Sequence, residues 1–194
     1  PAHRVGNVAL AVGLGVHIPL DDAARGILGF HGTETAQWTP LDRLNIASQN
    51  KSRGVDYQPT RRRAFLSLMD RLALPPGSVF VDLGCGKGRI LLLASSYAFK
   101  RIVGVEFSPE LGEVARRNVQ AFQRSVPQAA PVHVIVSDVV EYPIQRDDNC
   151  FFLFNPFDAT VLERLLENLR PSLEAWPRPV WLIYHKPVWR RILE

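Results

Sequence analysis

Residues 79–91 read VFVDLGCGKGRIL, with three glycines at alternate positions, 84, 86 and 88, directly after an apolar run. Asp82 stands just before the first of them. Glycine inside a regular element costs roughly 0.5–1 kcal/mol relative to alanine, so such a cluster marks backbone that must turn sharply or be approached closely. A glycine loop leaving a strand and entering a helix is where parallel-sheet proteins hold nucleotide-like ligands, beside the helix N-terminus. The spacing narrows the ligand. A dinucleotide fingerprint needs G-x-G-x-x-G, and the third glycine counted from Gly84 would fall at 89, which is Arg89. A Walker loop needs G-x-x-x-x-G-K-[ST], an order that Lys87-Gly88 does not supply. The loop is D-x-G-x-G-x-G over 82–88, which points away from both a nicotinamide dinucleotide and a triphosphate.

Outward from this loop, apolar runs alternate with helical patterns. RRRAFLSLMDRLAL places Phe65, Leu68, Met69 and Leu72 on one face, with Thr60 as the expected N-cap and Pro75-Pro76-Gly77 as the break. SVFVDL reads as a buried strand, RILLLASSYAF as a buried helix and RIVGVEF as the next strand. Ser108-Pro109-Glu110 starts a helix with a cap, a proline in its first turn and an acid near the dipole's positive end. Leu111, Val114, Ala115, Val119 and Phe122 carry that helix at the 3.6 period. VHVIVSD and CFFLFNPF are the third and fourth strands. Asp158 then caps a helix with Leu162, Leu165, Leu166 and Leu169 on one face, expected to stop at Pro171, and PVWLIYHKP is the fifth strand. Strand–helix alternation with near-continuous apolar strands means a parallel sheet covered on both faces. The fold class is therefore α/β, a doubly wound parallel sheet. Two domains are expected: an N-terminal extension, 1–59, packing over the ligand edge of the sheet, and a ligand-binding domain, 60–194.

Composition bounds the rest. The chain has 194 residues, 46% hydrophobic and 22% charged, ordinary values for a globular domain with a real core. The apolar stretch Val8 to Leu20 is only 13 residues long and is interrupted by His17 and Pro19, too short to span a bilayer. Cys85 and Cys150 lie far apart with no metal spacing, and two cysteines make no disulfide framework, so a reducing cytoplasm is expected and no metal site. The net charge of +4 comes mostly from scattered pairs, and the one run, Arg61-Arg62-Arg63, lacks interleaved aromatics. Neither a nucleic acid nor a membrane is the expected partner. His31, His133 and His185 are read as structural rather than as catalytic bases.

D-x-G-x-G-x-G after the first strand resembles motif I of the class I S-adenosylmethionine-dependent methyltransferases. The resemblance implies S-adenosyl-L-methionine as cofactor, with Gly84, Cys85, Gly86 and Gly88 passing beneath its methionine part and Asp82 orienting its amine side. It further implies an acid at the end of the second strand for the ribose hydroxyls. Glu106, followed by Phe107, lies 22 residues beyond Gly84, in line with the roughly 20-residue spacing of ribose-binding acids. Asp138, with Val139 beside it, takes the place of the acid near the adenine. The implied strand order is 3-2-1-4-5. Only 10 residues follow Tyr184, too few for the C-terminal helix and strand pair that such enzymes usually add.

On the acceptor side, Asn155-Pro156-Phe157 at the tip of the fourth strand resembles the Asn/Asp-Pro-Pro-aromatic motif of N-methyltransferases, with one proline missing. By that resemblance Asn155 and a neighbouring carbonyl accept hydrogen bonds from a substrate nitrogen, and Pro156 and Phe157 wall the methyl site. Asn155-Pro156 also reads as a simple turn. Tyr57-x-x-Thr60 ahead of motif I is similar to a loop of the non-SET nucleosomal histone-lysine methyltransferases, which closes over the methionine end of the cofactor. That implies contacts from Tyr57 and Thr60, with Tyr57 and Asn155 as the candidate catalytic residues. The overall resemblance, over 28–187, is to uncharacterised bacterial methyltransferases of this class. The expected activity is methyl transfer to nitrogen of a protein side chain or small molecule. The alternative is a cofactor-binding module without turnover.

Overall fold

The structure, a computed structural model, describes residues 2–5, 8–13, 33–127 and 129–194. His31 lies outside them. Strands β1 (Ala2–Val5), β2 (Val8–Gly13), β3 (Val79–Leu83), β4 (Arg101–Glu106), β5 (Val132–Val136), β6 (Cys150–Leu153) and β7 (Val180–His185) form one sheet. Its order is β1-β2-β7-β6-β3-β4-β5. The last five strands pair in parallel throughout and, counted along the chain, give the order 3-2-1-4-5. Helices α1 (Arg62–Leu72), α2 (Arg89–Ala94), α3 (Pro109–Ser125) and α4 (Ala159–Ala175) complete the domain.

The five parallel strands are mostly apolar because both sheet faces are covered, with Asp82, Arg101, Glu106, His133 and His185 as the polar exceptions. With side chains alternating across the pleat, Phe80, Phe152 and Ile183 enter one core with Phe65, Leu92 and Phe122 from α1, α2 and α3. Val81, Leu83, Leu153 and Tyr184 enter the other core, with Leu162, Leu165 and Leu169 of α4. Phe65 meets Phe152 edge-on with ring centroids 5.5 Å apart, which locks α1 across the sheet.

Of the expected N-terminal extension, residues 8–13 pair in parallel with β7 and residues 2–5 pair antiparallel with them. This hairpin covers the β7 edge, whose N–H and C=O groups would otherwise be an open pairing template. Residues 33–59 contribute instead to the cavity at the C-terminal strand ends, described below.

Two helix boundaries differ from the sequence expectation. Arg61, not Thr60, precedes α1, and no side chain caps it. The Thr60 carbonyl is drawn to the Arg89 guanidinium, whose Nε donates to it at 2.8 Å, so this residue serves a tertiary bond instead. Helix α4 runs through Pro171 to Ala175. Its last turn is held by Arg178, which donates to the Ser172 carbonyl at 3.2 Å and to Ser172 Oγ at 3.0 Å. That tether and the burial of Leu169 and Ser172 outweigh the hydrogen bond that proline forfeits. Elsewhere local signals hold: the Ser108 and Asp158 side chains each accept from the backbone N–H three residues on, both at 3.2 Å. Among the described residues no helix is long and apolar enough to cross a membrane.

Candidate active site

Parallel strands leave their C-terminal ends along one edge of the sheet, and ligands of such folds bind there, where the strand order reverses. In this chain that point lies between β3 and its neighbours β4 and β6. Asp82 is the fourth residue of β3, Glu106 the last of β4, and Asp138 follows β5. Asn155 follows β6. All four line one cavity of about 350 Å³.

The acids differ in what satisfies them. Glu106 accepts backbone N–H bonds from Gly86 at 2.7 Å and from Ser108 at 2.9 Å, which ties β4 to the glycine loop. Burial nevertheless pushes its pKa up to about 7, with the N–H donors from Ser108 and Gly86 opposing the rise. Asp82 is buried, and among the described residues no donor is bonded to its carboxylate. Burial, and then the charge of Glu106, hold its pKa well above the ordinary carboxylate value. Asp138 accepts from Ser48 Oγ, from Asn50 Nδ2 at 2.8 Å and from the Val140 N–H at 3.1 Å. The 48–50 segment is thereby fastened to the β5 end of the site.

The open backbone of the glycine loop is approached by the chain itself. A Cβ at Gly84 would sit 2.6 Å from Pro156 Cβ, and Gly84 has a φ of +84°. The Tyr57 ring covers Gly86 in the same way. Gly88 answers to a different need: it caps α2 and faces Ala115 of α3, where a Cβ would come within 3.2 Å. It does not line the cavity, so of the expected cofactor residues it alone is placed elsewhere.

Residues 33–60 strap the loop down. The Tyr57 hydroxyl donates to the Thr35 carbonyl at 2.8 Å, and Arg89 Nη1 donates to Thr35 Oγ1 at 3.2 Å. Buried Lys87 pairs with Glu34, whose backbone N–H and carbonyl are both held by the Asn118 amide at 2.8 and 2.9 Å. Burial raises the Tyr57 phenol pKa, so it stays a neutral hydroxyl. Short bridges, Thr39 to Tyr57 and Gly54 to Phe157, join this strap to itself and to the β6 tip.

At that tip Asn155 adopts a left-handed backbone, φ +45°. Its Oδ1 accepts from the Tyr184 hydroxyl at 2.8 Å, which aims the carboxamide and leaves the oxygen one further lone pair. The neighbouring Pro156 carbonyl already accepts the Val55 N–H at 3.2 Å. Phe157 is buried and lines the cavity.

The cavity thus brings together Tyr57, Thr60, Asp82, Gly84, Cys85, Gly86, Glu106, Phe107, Asp138, Val139, Asn155, Pro156 and Phe157. Sequence reasoning missed Asn50, Val55, Arg89, Phe154 and Lys186, which line it too. Lys186 and Phe154 had a signal, since each stands beyond or at the end of an apolar strand. Asn50 and Val55 had none. Among the described residues no cluster of His, Cys, Asp and Glu is placed to hold a metal.

Residues 80–175 match the family described as methyltransferase domain. Over 94 residues the chain is 35% identical to trans-aconitate 2-methyltransferase of Enterobacter sp. (strain 638), covering 46% of this chain and 37% of that protein. Over 64 residues it is 44% identical to a histone-lysine N-methyltransferase, H3 lysine-79 specific, of Cryptococcus neoformans, covering 32% of this chain and 10% of that one. The chain therefore spans well under half the length of these relatives. Among solved structures, an RNA methyltransferase from Salinibacter ruber with S-adenosyl-L-homocysteine aligns with a TM-score of 0.48 at 23% identity, over 68% of this chain and 81% of that one.

Proposed function

We infer that this chain, a member of the methyltransferase domain family through residues 80–175, binds S-adenosyl-L-methionine in the cavity and transfers its methyl group to a nitrogen of a small molecule or protein side chain. The observation that carries this is the convergence of Asp82, Glu106 and Asp138, from three adjacent strand ends, with Asn155 on one cavity. The residues present fit that cofactor. A buried carboxylate with no donor bonded to it, Asp82, suits a cationic amine, and Glu106 keeps lone pairs beyond its two backbone donors for ribose hydroxyls. Asp138 with Asn50 offers a polar edge of the kind an adenine needs.

When bound, S-adenosylmethionine would supply an electrophilic methyl group: a nitrogen lone pair forms the N–C bond in line as the C–S bond breaks, S-adenosylhomocysteine leaves as the thioether, and the methylated nitrogen loses its proton to solvent. The protein's share is alignment and removal of water from the nucleophile. Asn155 Oδ1, steadied by Tyr184, accepts an N–H of the incoming amine and turns its lone pair toward the methyl site. Tyr57, neutral and packed on the glycine loop, walls the methionine end and offers its phenol oxygen as a second acceptor. Pro156 acts through its ring, since its carbonyl is engaged by Val55. The working compartment is the cytoplasm, in keeping with buried, unpaired Cys85 and Cys150.

The test is a thermal melt with S-adenosylhomocysteine, with NAD as control. A ligand at about 100 times its dissociation constant adds roughly 2.7 kcal/mol, a rise of roughly 5–10 °C for a chain of this size. No shift with S-adenosylhomocysteine, or an equal shift with NAD, overturns the cofactor reading. Binding without methyl transfer to any amine in a labelled-methyl screen would favour the cofactor-binding module over the enzyme.

A further inference from the structure

The cavity has two chemically different halves. Asp82, Glu106 and Asp138 stand at the C-terminal ends of β3, β4 and β5, on one side of the sheet. The other side, at the ends of β6 and β7, presents Phe152, Phe154, Asn155 and Lys186. Adjacent strands lie ~4.8 Å apart, so the β7 end is roughly 10 Å from the β3 end and roughly 19 Å from the β5 end. The acids and Lys186 therefore address different parts of whatever fills the cavity.

Lys186 is exposed and lines the cavity. Its backbone is left-handed, φ +50°, like that of Asn155 one strand over. For residues other than glycine this conformation is strained, of order 1–2 kcal/mol, and such strain gathers where a side chain must be aimed. The ammonium stands 4.9 Å from the centroid of the Phe154 ring, which also meets the His185 ring at 4.7 Å and packs against the core. Burial, and then the charge of Lys186, lower the His185 pKa to about 4, so His185 adds no second charge at neutral pH. Asp56, the other acid lining the cavity, accepts the Leu41 N–H at 2.9 Å. Asp158, near the β6 tip, is paired with Arg53 at 2.8 Å. Among the described residues no carboxylate forms an ion pair with Lys186. The rim beside it is apolar, with Val55 and Val188 46% and 63% exposed and both lining the cavity.

We propose that the β6–β7 half of the cavity is an acceptor subsite for a small amine that carries an anionic group on an apolar body, with Lys186 binding the anion and Phe154 packing against the body. This rests on the methyltransferase reading and narrows its acceptor to a small anionic molecule, against the histone lysine that one relative's name gives. A lysine poised over an aromatic ring repels an approaching cation and rewards an anion, which is specificity by charge rather than by shape.

The experiment uses the full chain saturated with S-adenosylhomocysteine and two probes of one shape, 4-aminobenzoate and 4-aminobenzamide, titrated calorimetrically. The carboxylate is expected to bind about tenfold more tightly than the amide, a difference of ~1.4 kcal/mol. Lys186→Met should abolish that discrimination and Lys186→Arg should keep it, while S-adenosylhomocysteine affinity stays at the wild-type value in both. Equal affinity for the two probes, discrimination that survives in Lys186→Met, or binding of neither probe to the saturated protein overturns the subsite. Tighter binding of a lysine-rich peptide than of the carboxylate overturns it as well. Failure of S-adenosylhomocysteine itself to bind removes the methyltransferase reading instead, so the two failures are distinguishable.

Discussion

The Tyr57 ring lies so close to Gly86 that a Cβ at position 86 would come within 2.2 Å of its Cδ2. The glycine of the binding loop is thus required twice over, by its φ of +53° and by a ring from a segment 29 residues earlier in the chain. Gly86→Ala is expected to destabilise the protein by about 2–4 kcal/mol, from overpacking plus left-handed strain. Tyr57→Ala in the same chain should recover part of that loss, so the double mutant is less destabilised than the sum of the singles. Denaturant melts of the four proteins measure it; strict additivity would mean that the ring moves freely away.

Asp82 and Glu106 are two buried acids that each gain from neutrality in the empty site. Asp82→Asn replaces a buried acid whose charged form the fold disfavours, and to which no described residue donates, by a group that is always neutral, so the free protein is expected to melt several degrees higher, at roughly 2–4 °C per kcal/mol. The same change should weaken S-adenosylhomocysteine by about 1–3 kcal/mol through the lost charged hydrogen bond. A stabilised free protein with unaltered affinity would remove Asp82 from the cofactor's contacts.

Glu106 makes both folding and binding depend on pH, in opposite directions. Its folded pKa of about 7 lies above the ordinary 4.5, so the folded state binds more protons between those values. Stability from this group is full below about pH 4.5 and is lost as pH rises through 7. In the proposed binding mode the cofactor hydroxyls donate to the carboxylate, so affinity is expected to be full above pH 7 and to fall as pH drops below it, by up to tenfold per unit. Calorimetric titrations from pH 5.5 to 8.5 check the second trend, and a flat profile would assign the ribose contact to another residue.

Lys87 is buried while its partner Glu34 is half exposed. Glu34→Gln leaves an unpaired ammonium beneath the strap and is expected to cost about 1–2 kcal/mol, below the 3–5 typical of fully buried pairs because water reaches Glu34. Adding Lys87→Met should return most of that stability, since the four-carbon stem is already packed. Urea unfolding distinguishes this from a simple loss of strap contacts, which the second substitution would not repair.

The alternation of buried strands and helices was legible in the sequence because it depends on local rules, and the order 3-2-1-4-5 and the acids of β3, β4 and β5 followed from the resemblance that the glycine motif carries. Asp82, Glu106 and Asp138 each stand at the end of an apolar run, and a parallel sheet brings all strand ends to one edge. Gly88 was expected on the ligand side and faces Ala115 rather than the cavity, since a glycine that serves helix packing has the same letter as one that serves a ligand. Thr60 and Pro171 likewise carry strong local signals that Arg89 and Arg178 override from a distance.

What the sequence by itself determined is the alternation of five buried strands with helices, through continuous apolar runs and the 3.6 period, while the glycine spacing carried the resemblance that implied the strand order and the acids of the cavity. What only the tertiary structure decided is how residues 33–60 close over that edge, and which side chains of the β6 and β7 tips face the cavity. Those contacts join residues 29 to 105 positions apart, such as Tyr57 on Gly86 or Arg53 with Asp158, through single side chains. Such contacts leave no periodicity to read, and they form only once the sheet has brought its strand ends together.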